Sequence, residues 1–139
     1  MLNGASARAL IALCAVLVVT TPASTQGRGG LTALATLQPG LWELRDLDSP
    51  RPTAPRRICI SDPGILLQLQ HRDAACSRLV IANDAKSATV HYTCAAGGFG
   101  RTTVRVSTPR LARVETQGID RDIPFDYRAE ARRKGACRR

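Results

Sequence analysis

The side chains best equipped for chemistry in this chain are few: five cysteines, two histidines and the close aspartates Asp120 and Asp122. A Cys/His metal centre needs ligands at short, regular spacing, and neither Cys-x-x-Cys nor His-x-x-x-His occurs around His71 or His91, so no metal or other cofactor is expected. The chain has no Gly-x-Ser-x-Gly elbow, no His-Glu-x-x-His and no phosphate loop ending in lysine and serine or threonine. Asp120 and Asp122 flank Arg121 in a turn-like stretch; acid–base work needs burial or a forced like-charge contact, and solvated charge is the expectation there. Gly97-Gly98-Phe99-Gly100-Arg101 has the backbone freedom to cradle an anion, but no helix follows it, and it reads as a wide turn. No catalytic residues are expected, and the chain reads as a non-enzyme.

The cysteines say more about compartment than about catalysis. Residues 9–19 form an unbroken apolar run behind Arg8, followed by Thr20-Thr21-Pro22-Ala23-Ser24, the pattern of a secretory signal with cleavage near Ala23. The run is too short to remain as a membrane span. Cys14 lies inside it, behind the bulky Leu13, and is expected to leave with residues 1–23. The remaining Cys59, Cys76, Cys94 and Cys137 then form an even set in an oxidising, periplasmic or extracellular compartment, where two disulfides are the default. Four cysteines allow three connectivities; loop length and chain position favour Cys59 with Cys76 and Cys94 with Cys137.

Charge is the second signal. Lys and Arg number 20 against 11 Asp and Glu, a formal +9, and only Lys86 and Lys134 are lysines. Such a balance draws anions: lipopolysaccharide, acidic polysaccharide, phosphate or nucleic acid. Stacking aromatics are scarce near the basic residues, and export separates the chain from most nucleic acid, which disfavours that partner.

The elements that position these residues are mainly strands. Residues 24–37, with Gly27-Arg28-Gly29-Gly30, read as a flexible lead-in, and residues 38–139 as one disulfide-stapled domain. Residues 41–47 form a strand with Trp42 and Leu44 on one face; Pro50, Pro52 and Pro55 end it. Residues 57–60 form a second. Ser61-Asp62-Pro63 opens a short helix to about His71, with Ile65, Leu66 and Leu69 on one side. Period-two alternation then predicts strands over 78–82, 88–94, 99–107, 110–117 and 124–133. The fold class expected is α+β, mainly β: an antiparallel meander of six or seven strands, one short helix and two disulfides.

The opening Gln38-Pro39-Gly40-Leu41-Trp42-Glu43, the order of the four cysteines, Gly97-Gly98-x-Gly100-Arg101-Thr102 and the closing Gly135-Ala136-Cys137 together resemble a family of small exported proteobacterial domains of unknown function. The resemblance implies a periplasmic disulfide-containing domain and no activity. Gly40-Leu41-Trp42 is also similar to the Gly-x-Trp of lipocalins, but the chain is short for a ligand-holding eight-stranded barrel. Three roles follow as expectations. The first is a binding or accessory domain that meets an anionic envelope component through Arg101, Arg105, Arg128 and Arg132. The second is a lipocalin-like carrier with an apolar ligand among Trp42, Leu66, Leu69 and Phe125. The third is a structural or stress-related envelope protein with protein partners only.

Overall fold

A computed structural model describes residues 30–138; the expected signal, its cleavage point and Cys14 lie outside them. Seven strands form one antiparallel sheet: β1 (Gly40–Asp46), β2 (Arg56–Ile60), β3 (Cys76–Asn83), β4 (Ser87–Cys94), β5 (Phe99–Thr108), β6 (Leu111–Asp120) and β7 (Ile123–Gly135). Their order is β2-β1-β7-β6-β5-β4-β3. The last five strands are the expected meander, and β1 then pairs with β7, the farthest strand along the chain.

Alternation decides which side is dry. Trp42 and Leu44 of β1, Val90 and Tyr92 of β4, Val104 of β5 and Val114 of β6 have almost no exposure, and all point to one face. Burial of side chains of this size contributes about 1.5–3 kcal/mol each before entropy is counted. The Pro-Gly-x-Trp opening has a physical basis at this point. Pro39 offers its carbonyl to Arg133 Nε at 2.8 Å, and Trp42 Nε1 donates to the Gln38 carbonyl at 3.0 Å. Gly40 adopts φ +144°, and a Cβ on it would collide with the Gly135 carbonyl, so only glycine lets β1 enter this close to β7.

Two expectations about the cover of that face are corrected. The segment opening at Asp62-Pro63 is a 3-10 helix, Pro63–Gln68, not an α-helix reaching His71. Its cap is as read, with Asp62 Oδ1 accepting from Gly64 N–H at 2.8 Å. A run this brief, with glycine in its first turn, gains little from α-helical bonds; the tighter coil buries Leu66, Leu67 and Gln68 instead. The lead-in also ends earlier than read. Leu34–Thr36 forms a 3-10 turn, and Ala33, Leu34 and Leu37 belong to the core. They cap apolar strand residues that five aromatics alone would leave open.

The disulfide pairing is the third correction. Cys76 and Cys94 face each other in the β3–β4 register and are bonded, as are Cys59 and Cys137. The pairing by loop length fails because strand order overrides chain order. β2 is one edge of the sheet and β3 the other, which separates Cys59 from Cys76, whereas β1 alone lies between β2 and β7, the strand that leads to Cys137.

Candidate functional site

The other side of the sheet is polar and open. Arg101 and Arg105 of β5, Arg113, Glu115 and Gln117 of β6, and Asp126, Arg128, Glu130 and Arg132 of β7 alternate with buried neighbours. All four arginines expected to bind anions therefore share this face. β6 lies between β5 and β7, yet Arg101 and Arg128 line one depression of about 350 Å³ across it. Three of them also have acidic partners. Arg128 holds Asp48, with its backbone N–H donating to Oδ2 at 2.9 Å and Nε to Oδ1 at 2.7 Å; Arg132 meets Glu130 at 3.1 Å; Arg105 reaches Glu115 at 3.7 Å. Arg101 makes no ion pair among the described residues.

Sequence reading missed Arg113. In the β5–β6 register it stands directly opposite Arg105, and it has no ion pair among the described residues. Outward alternation along β6 was readable, but nothing in one strand names the residue across from it. The two guanidinium-bearing side chains line a depression of about 210 Å³ with Ser107, Leu111, Ala112 and Glu130.

A polar cluster lies on the buried face. His71, read as the end of a short helix, is buried: its Nδ1 shares a hydrogen bond of 3.1 Å with the Tyr92 hydroxyl. Its Nε2 has no hydrogen-bond partner among the described residues and lies 3.5 Å from Asp120 Oδ1. Burial pushes the Tyr92 phenol up, the Thr116 hydroxyl opposes this, and the Asp120 charge adds to it. Gly98, at φ +105°, closes over the imidazole where any Cβ would strike Nε2. Asp120 is thus half of a contact between the β6–β7 turn and the segment before β3, not the freely solvated turn charge expected. The Gly97-Gly98 stretch is a turn, as read. His91 stacks at a tilt on Phe99 on the open face.

The expected apolar-ligand residues are not brought together as a cavity. Trp42 and Leu66 are wholly buried and Leu69 nearly so, within the core, while Phe125 packs beside His71. These are the side chains that fill the interior, so the space once assigned to a ligand is occupied by the protein itself. A separate apolar groove of about 300 Å³ opens between the two 3-10 segments and β3. Among the described residues no three His, Cys, Asp or Glu side chains gather as metal ligands, and no helix is long and apolar enough to cross a membrane. The chain matches no protein-family description, no curated protein and no solved structure.

Proposed function

We propose that this protein is a non-enzymatic binding domain of the cell envelope whose open sheet face takes a phosphate-bearing polyanion, centred on Arg105 and Arg113. The carrying observation is their position directly across β5 and β6. Like charges directly opposite in an antiparallel pair destabilise it; among the described residues Arg105 has one ion pair, to Glu115 at 3.7 Å, and Arg113 has none, although Glu130 stands opposite it in the β6–β7 register. A phosphate between two planar guanidinium forks converts that repulsion into charge-assisted hydrogen bonds. Arg101, Arg128 and Arg132 extend the attraction along the same face. The net charge of +9 adds long-range steering, which salt screens. Two disulfides suit a periplasmic or extracellular setting.

The test separates binding from folding. Arg105→Gln/Arg113→Gln removes the repulsion, so the variant unfolds at the same or higher denaturant concentration than the parent. Its salt-dependent retention on immobilised lipopolysaccharide, a phosphate-bearing polyanion, falls at least several-fold. Unchanged retention would sink the proposal.

A further inference from the structure

The two edges of the sheet are protected very differently. β2 offers five residues, begins with Arg56 and Arg57, follows three prolines and is tied down through Cys59–Cys137. Charge, proline and brevity are the usual guards against a new strand pairing on an edge. β3 has eight residues and no proline, and Cys76–Cys94 ties only its first residue to β4. Leu79, Val80 and Ile81 are 64%, 50% and 48% exposed in succession. The strand's only charge, Arg78, is turned away: its Nε and Nη2 donate to Gln68 Oε1 at 3.1 and 2.6 Å. Gln68 is itself buried, and its amide donates to the His71 and Ala74 carbonyls, so the guanidinium is held over the buried side. The register shift between Val80 and Ala82 leaves residues 76–80 as the regular part of the edge.

Beside that edge lies the apolar groove, walled by Leu31, Leu34, Leu67, Val80 and Val90. Two charges face it. Asp62 has one oxygen engaged by Gly64 N–H. Arg78 Nη1 makes no hydrogen bond among the described residues and lies 3.1 Å from where a Cβ on Gly64 would stand. An open strand edge flanked by a side-chain-sized apolar groove is the arrangement by which sheets take an extended peptide, main chain on the edge and alternate side chains in the groove.

We infer that β3 and this groove form a second site, which receives an extended, net-acidic polypeptide segment with apolar residues at alternate positions. Charge selects the occupant. Two copies of a chain with formal charge +9 repel on approach, while an acidic segment is attracted and finds the unspent Nη1 of Arg78 at the groove. This site is separate from the arginine face, and its test is independent of it.

The probe is a short synthetic peptide alternating valine with glutamate, titrated by calorimetry and amide NMR into the disulfide-bonded protein. Saturable binding with shifts confined to β3, β4 and the groove is expected. Val80→Glu weakens binding at least tenfold, and Arg105→Gln leaves it unchanged. Leu79→Asp, at the most exposed of the three apolar positions, gives the same loss should Val80→Glu fold poorly. Shifts on the arginine face, equal affinity in Leu79→Asp, no binding at all, or self-association through β3 in place of peptide capture would each overturn the inference.

Discussion

Asp48 illustrates how a single exposed carboxylate orders a long connection. It follows β1, yet it reaches β7 to accept both the backbone N–H and the side-chain N–H groups of Arg128. The Arg128 guanidinium holds its carboxyl below the usual carboxylate range. A group more acidic in the folded state contributes stability that is complete above the unfolded value of about 3.9 and drains away as pH falls through the folded value. Denaturant midpoints measured on the acid side of about pH 4 should therefore fall faster for the parent than for Asp48→Asn; parallel slopes would show that the pair adds nothing. Sequence reading placed Arg128 on the correct face but gave it to a ligand. Its partner lies 80 positions away, and nothing local in either segment announces that contact.

At the scale of elements, all seven strands were legible, most of them from period-two alternation bounded by turn residues; β3 is the exception, with Leu79, Val80 and Ile81 exposed in succession. β7 is the clearest, with Tyr127, Ala129 and Ala131 inward and Arg128, Glu130 and Arg132 outward. Order within the sheet was not legible, since alternation specifies a face and not a neighbour. The place of β1 beside β7 was the gap that produced the wrong disulfide pairing; the β5–β6 register, which sets Arg113 opposite Arg105, was a second. Non-reducing peptide mapping should return Cys59 with Cys137 and Cys76 with Cys94; any other linkage would contradict the strand order itself. Loop-entropy arithmetic on sequence separations of 78 and 18 gives about 4.5 and about 3 kcal/mol. Serine replacement of the first pair is thus expected to lower the denaturation midpoint more than replacement of the second. His71 escaped for a related reason: a short polar side chain at the end of a predicted helix looks solvated until the β4–β5 turn is seen folded over it.

The whole molecule is a sheet with one dry face and one arginine-bearing face, carrying a formal +9. Excess charge of one sign works against the compact state, and exposed ion pairs such as Arg105–Glu115 at 3.7 Å return little. Thermal midpoints should accordingly rise by a few degrees between low salt and about 0.1 M, where the screening length falls to about 10 Å. A flat or falling curve would mean that the internal ion pairs outweigh the self-repulsion.

The pairing of β1 with β7 also sets a timetable. A chain made from its amino end delivers β1 and β2 first and β7 last, yet β7 is the only strand that joins β1 to the rest of the sheet. Until residues 123–135 have emerged, the β1–β2 hairpin and the β3–β6 meander are two fragments with no strand between them. Contacts this distant along the chain form slowly, so the decisive closure falls to the final segment. Cys137, arriving behind it, can then bolt the earliest hairpin to the latest strand.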